Sequence, residues 1–202
     1  MQKLDFRVER KDLYSPGRDF ALVDVPQFDF LMVDGTGDPN KGKEYASAVE
    51  ALYSLSFAVK FASKAQLGRD YVVAPLEGLW PDTAASTPKA EWRWTMLIRQ
   101  PDWLGQEQWD AARAKAAAKG LPALDAVRLE PFAEGAAVQV MHVGKYDDEA
   151  PTIARMHAWI EEQGMALGGR HHEIYIGDPR RAAPDKLRTV LRQPVVGVGR
   201  QG

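Results

Sequence analysis

Glu173 and Tyr175 stand two residues apart in the stretch His171-His172-Glu173-Ile174-Tyr175-Ile176-Gly177-Asp178-Pro179. Side chains two apart on a strand project from one face. A carboxylate that accepts a proton then lies beside a phenol that donates one. Ile174 and Ile176 alternate with this pair at the period of a half-buried strand, and Gly177-Asp178-Pro179 supplies a turn to end it. The polar face is either a solvated sheet surface or the floor of a binding site. In an aromatic pocket a carboxylate can pair with a ligand cation, act as general base on water, or be a buried acid tied to nearby donors. His171 and His172 are adjacent and so point to opposite faces, and His142 and His157 lack ligand spacing, so no metal site is expected.

The composition bounds the chemistry. The chain has 202 residues, is 45% hydrophobic and 27% charged, and carries a formal net charge of -2, which leaves no electrostatic footprint for nucleic acid. It holds no cysteine, which excludes disulfides and thiolate catalysis. The N-terminal residues are charged throughout with no apolar stretch of a signal peptide, and no run is apolar enough to span a bilayer. A reduced, soluble, cytoplasmic protein without cofactor or membrane partner is expected.

The flanking elements follow from periodicity. Residues 1 to 18 read as a polar arm packed late onto the body. Phe20 to Val25 and Phe28 to Val33 read as strands. The glycines of Asp34-Gly35-Thr36-Gly37-Asp38 lack the Gly-Lys-Ser/Thr of a phosphate loop, and the two aspartates would repel phosphate; a turn is expected there, with Asp38 or Asn40 capping a helix. That helix spans Tyr45 to Phe61, with an apolar stripe through Val49, Leu52, Tyr53, Ser56 and Val59, and Tyr53 is assigned to the core. Arg69 to Ala74 reads as a strand continued by Pro75 to Trp80, with Pro75 marking an edge or bulge. Glu91 to Arg99 is a strand whose Trp92, Trp94, Met96 and Ile98 share a face, too bulky to be left in solvent. Helices over Asp102 to Gly120 and Asp148 to Gln163, strands over Val127 to Pro131, Ala136 to Val143 and Lys186 to Leu191, and a tail from Gln193 complete the reading.

Both halves run strand, helix, strand, strand. Residues 28 to 101 thus overlie 138 to 194 as an internal repeat joined by the helical segment 102 to 120, within one domain over 1 to 202. Leu76-Glu77-Gly78 falls where His172-Glu173-Ile174 falls, which brings Glu77 and Glu173 to one central cleft; the other reading of Glu77 is an ion pair with an arginine such as Arg93 or Arg99. A pseudo-two-fold chain needs no partner to complete its cleft, so a monomer or weak dimer is expected.

The stretches His142 to Glu149 and HHEIYIGDPRRAAPDKLRTVLRQPV, with MVDGTGDPN, YVVAPLEGLW and WTMLIRQPDW in the first half, resemble the GyrI-like small-molecule-binding family over roughly residues 3 to 196. The resemblance implies an α+β fold of two β-α-β-β units related by a pseudo-two-fold, with helices on one side of the sheet and a ligand cleft between the halves. It extends to the drug-sensing domain of MerR-type multidrug regulators and to the gyrase-inhibitory protein, although no helix-turn-helix module is visible here. Glu173 matches the central acidic pocket residue that attracts cationic aromatic ligands, and Tyr175 and Tyr146 match aromatic wall positions. Gly144-Lys145-Tyr146 departs from the usual Gly-Pro-Tyr. Members with Pro-Leu-Glu-Gly-Leu-Trp are similar to proteins that hydrolyse the cyclopropane of DNA-alkylating cyclopropanoids. For such a ring opening the chemistry of the two side chains makes Glu173 the expected base on water and Tyr175 the expected support for the developing oxyanion. A flat substrate would stack on Trp80, Trp92, Trp94 and Tyr146, with Met32 padding the opposite wall. The alternative is a module that binds or sequesters small molecules without turnover.

Overall fold

The computed structural model describes residues 3–81, 86–177 and 182–197. The turn expected at Asp178-Pro179, Arg180, Arg181, and part of the 82–90 loop lie outside the described residues. Nine strands and five helices follow one another as α1 (Phe6–Glu9), α2 (Lys11–Tyr14), β1 (Ala21–Val25), β2 (Phe28–Thr36), α3 (Lys43–Leu67), β3 (Glu77–Trp80), β4 (Arg93–Gln100), α4 (Gln106–Ala117), β5 (Arg128–Phe132), β6 (Gly135–Val143), α5 (Ala150–Glu162), β7 (Met165–Leu167), β8 (His171–Tyr175) and β9 (Arg188–Gly197), among the described residues.

The strands pair in the order β1-β6-β9-β8-β3-β4-β2-β5, all antiparallel, with β7 added on β9. The order is the same read from either edge: β2-α3-β3-β4 and β6-α5-β8-β9 are two copies of one unit, and β3 meets β8 at the centre. The edges add a feature that the sequence pattern did not show. β1 leads into β2 but pairs with β6, and β5 leads into β6 but pairs with β2. Each half thus lends its first strand to the other.

Both long helices cover one face of the sheet. Ala48, Ala51, Leu52, Leu55 and Val59 of α3 recur at helical spacing and pack on Leu31, Val33, Trp94, Met96 and Ile98. Met156 and Ile160 of α5 pack on Val138, Val140, Leu191 and Val195. Gly35 has a steric cause rather than a phosphate-binding one. A Cβ there would lie 2.1 Å from the Trp94 ring, so the indole lies directly on the backbone of β2.

Several expectations are corrected. The N-terminal arm is not simply polar: Phe6, Leu13 and Tyr14 are buried, and Arg192 donates to the Leu13 carbonyl. The cap of α3 is Gly42, while the Asp38 side chain accepts from the Asn40 N–H within the turn before it. Arg69 to Ala74 is not a strand. Tyr71 makes one bridge to Leu4 and Val72 N–H donates to the Leu4 carbonyl, but no ladder forms until β3 begins beyond Pro75, which has no N–H to give one. Of the expected tail, residues 193–197 belong to β9, where Pro194 pairs with Ala137 and Val195 with Leu167, and the remainder lies outside the described residues.

Candidate functional site

Between α3 and α5, over the central β3–β8 pair, lies a cavity of about 1740 Å³ that opens into a surface groove. Its floor comes from a pairing in which Gly78 stands opposite Glu173. Gly78 offers no side chain, and a Cβ there would lie 3.0 Å from Trp80 Nε1 and 3.1 Å from the Tyr175 hydroxyl. The hollow over Glu173 therefore depends on a glycine across the ladder.

The floor is a hydrogen-bonded chain. Trp80 Nε1 donates to the Tyr175 hydroxyl at 3.0 Å, and that hydroxyl donates to Glu173 Oε2 at 2.8 Å. His171 Nε2 lies 3.6 Å from Glu173 Oε1. The Glu173 side chain keeps 15% exposure, enough to meet a ligand in the cavity. Burial, then the neighbouring Glu173 charge, holds the Tyr175 phenol well above its ordinary range, so it stays a donor at any physiological pH. Aromatic rings wall the space. Trp80 meets Trp92 edge-on at 5.6 Å, Tyr45 stacks on Trp80 at 6.5 Å, and Tyr146 meets Tyr175 edge-on at 5.5 Å.

Of the residues singled out in the sequence, Glu173, Tyr175, Trp80, Trp92 and Tyr146 line this cavity. Glu77, Trp94 and Met32 do not. Glu77 pairs with Ile174, not with Glu173, so it projects from the opposite face. A shift of one residue in strand matching exchanges the faces, and the matching of Glu77 to Glu173 was out by one. On that far face Glu77 is 1% exposed, accepts from Tyr14, and faces His172 Nε2 at 2.9 Å; its ion-pair partner is a histidine rather than an arginine. Met32 shares the far face, in a cluster with Phe30, Leu79 and Leu97. Trp94 is on the cavity side but 1% exposed, held edge-on beneath Tyr45 at 5.3 Å with Nε1 donating to the Gly37 carbonyl.

Several cavity residues were missed. Tyr45, Val49, Tyr53 and Phe57 of α3 and Glu149, Ile153 and His157 at the start of α5 each recur every four residues and line it. On α3 the period is visible in the sequence, where Val49 and Tyr53 read as part of a stripe facing the sheet. On α5 it divides: Met156 and Ile160 turn to the sheet, Ile153 and His157 to the cavity. Glu149 is 3% exposed, and among the described residues its Oε1 has no hydrogen-bond partner. Burial, then the charge of Glu173, pushes its carboxyl far above the usual range, to about 9, against a smaller opposing pull from Thr189. The cavity thus holds two carboxyl groups, Glu149 and Glu173, whose charges act on one another. Among the described residues no cluster suited to a metal ion occurs.

The model of the GyrI-like small molecule binding domain matches residues 18–196. The crystal structure of an uncharacterized conserved protein from Listeria innocua is similar at 41% identity and a TM-score of 0.88, over 96% of this chain and 100% of that one. A second Listeria innocua structure, of a protein described as a hydrolase, is similar at 40% identity and a TM-score of 0.85, again over 96% and 100%. The C-terminal domain of EcmrR superposes with a TM-score of 0.60 over 89% of this chain and 98% of that domain; at 16% identity that likeness concerns the fold alone. No curated protein matches the chain.

Proposed function

The chain belongs to the GyrI-like small-molecule-binding family, and from that premise we propose that it binds planar aromatic compounds in the cavity over Glu173 and opens the cyclopropane of cyclopropanoid alkylators by adding water. The observation that carries the proposal is the Trp80–Tyr175–Glu173 chain, which holds one oxygen of a carboxylate that lines an aromatic-walled space. A flat ring system slides between Trp80, Trp92, Tyr45 and Tyr146. Glu173 takes a proton from water as the water oxygen bonds to the less hindered ring carbon. The strained C–C bond breaks, and its electron pair passes through the conjugated dienone to the carbonyl oxygen, which becomes a phenolate. No cofactor enters the step. The description of a 40% identical relative as a hydrolase agrees with this class of reaction.

We infer for Tyr175 a part other than the oxyanion support expected from the sequence, and two hydrogen bonds support that reading. Its hydroxyl proton is directed at Glu173 and its lone pair at Trp80, so it aims the base. The test is incubation of the protein with a cyclopropane-bearing alkylator in ¹⁸O-labelled water. One labelled oxygen in a ring-opened product supports the proposal, and quantitative recovery of intact compound refutes it. A second reading rests on the same rings beside a carboxylate, which also suit a planar cation. Tight binding of a rhodamine-type dye together with recovery of intact alkylator would favour sequestration over turnover.

A further inference from the structure

With the Tyr175 proton committed to Glu173, the oxygen that receives the electron pair needs a donor from elsewhere in the cavity. We propose that Glu149 is that donor: its buried carboxyl delivers a proton to the carbonyl oxygen of the substrate as the ring opens. This inference rests on the hydrolytic reading above.

Three observations of position carry it. Glu149 lines the same cavity as Glu173 and is carried by the N-terminal end of α5 rather than by the sheet. It is 3% exposed, so bulk water does not satisfy it. Its Oε1 has no hydrogen-bond partner among the described residues, so that oxygen is not tied up by the protein groups around it. The groups acting on it are Glu173 and Tyr175 from β8, Thr189 from β9 and Asp147 from the turn before α5; His157 lines the cavity two turns further along the helix. Thr189 is neutral, and the two acids favour the protonated carboxyl. A neutral acid also suits a substrate whose oxygen is uncharged before reaction and anionic after it.

The step balances. Water gives its oxygen to the ring carbon and one proton to Glu173. The ring C–C pair ends on the carbonyl oxygen, which takes the proton of Glu149 and leaves as a phenol. The proton on Glu173 then returns to Glu149 through solvent, and the net change is addition of one water.

The test combines kinetics with a readout independent of turnover. In the wild type, kcat falls as pH rises through about 9, where Glu149 loses its proton. Glu149→Gln keeps the shape and removes the proton. It lowers kcat roughly 100-fold, abolishes that alkaline limb, and leaves the ligand Kd from tryptophan quenching within about threefold. A kcat within about threefold of wild type, or an unchanged limb, overturns the assignment. Infrared difference spectra of the unliganded wild type at neutral pH add a test that needs no substrate and no folded variant. A protonated-carboxyl stretch that disappears only at alkaline pH is expected, and its absence at neutral pH overturns the proposal. If the wild type shows that stretch but turns over no alkylator, the hydrolytic reading is what fails, and with it the donor role.

Discussion

The hydroxyl of Tyr175 joins the indole of Trp80 to the carboxylate of Glu173 on the cavity floor. Removing it isolates the contribution of aim. Tyr175→Phe leaves the ring that meets Tyr146 edge-on, so ligand stacking is kept. The variant is expected to lose about 1 kcal/mol of stability for two neutral or charge-assisted contacts. It should lose roughly 10- to 100-fold in kcat because Glu173 becomes free to swing. Stopped assays at saturating substrate check this, and an unchanged kcat would mean that the hydroxyl aims nothing. The sequence alone revealed that Glu173 and Tyr175 share a face, since spacing on a strand fixes it. It could not reveal that the proton of one is given to the other, because that depends on Trp80, 95 positions away in the chain.

At the scale of elements, the site depends on register. Gly78 faces Glu173 across the β3–β8 ladder, and a methyl group there would press on Trp80 Nε1, the Tyr175 hydroxyl and Met96. Gly78→Ala is therefore expected to cost about 1–3 kcal/mol in stability and to weaken ligand binding through the displaced floor. Parallel urea melts and titrations test this, and wild-type affinity would show that the floor tolerates a filled position. Strong alternation made β8, β4 and β6 legible in the sequence, and helical periods did the same for α3 and α5. Register between strands far apart in the chain was not legible, and the error at Glu77 came from there. The Val72-Val73-Ala74 run has strand-forming residues but meets the chain only at Leu4 beside its start, and it becomes a cavity wall instead. Gln193-Pro194 looked like a strand end, yet β9 continues through it because β6 and β7 flank it on either side. The N-terminal arm looked polar because its charges are on the outside; Phe6, Leu13 and Tyr14 are too widely spaced to signal burial by themselves.

At the scale of the molecule, the two halves meet over two different chemistries. One face of the central pair carries the cavity; the other carries a buried ionic cluster in which His172 lies 2.9 Å from both Glu77 and Glu134, with Arg192 on Glu134 at 2.8 Å. Burial pulls His172 down, but the charges and hydrogen bonds of Glu134 and Glu77 outweigh it and lift it to about 9. Burial pushes Glu134 up, and His172 and Arg192 outweigh that and bring it to about 2. The raised His172 contributes stability that is full below its unfolded value of 6.5 and lost as pH rises through about 9. The lowered Glu134 contributes stability that is present above 4.5 and lost as pH falls through about 2. Glu149, raised like His172, adds a loss between 4.5 and about 9. Unfolding free energy should thus be greatest in weak acid and fall by roughly 3 kcal/mol or more between about pH 6 and pH 10. Urea denaturation across that range checks it, and a flat profile would mean that these groups keep the same protons when unfolded.

The central claim is that Glu173 performs chemistry on a ligand held by rings from both halves. Its most direct test is Glu173→Gln, measured for turnover and binding on one sample with a neutral cyclopropane-bearing alkylator. The account predicts binding close to wild type by tryptophan quenching, and no ring-opened product by mass spectrometry. Wild-type rates of product formation in that variant would contradict it.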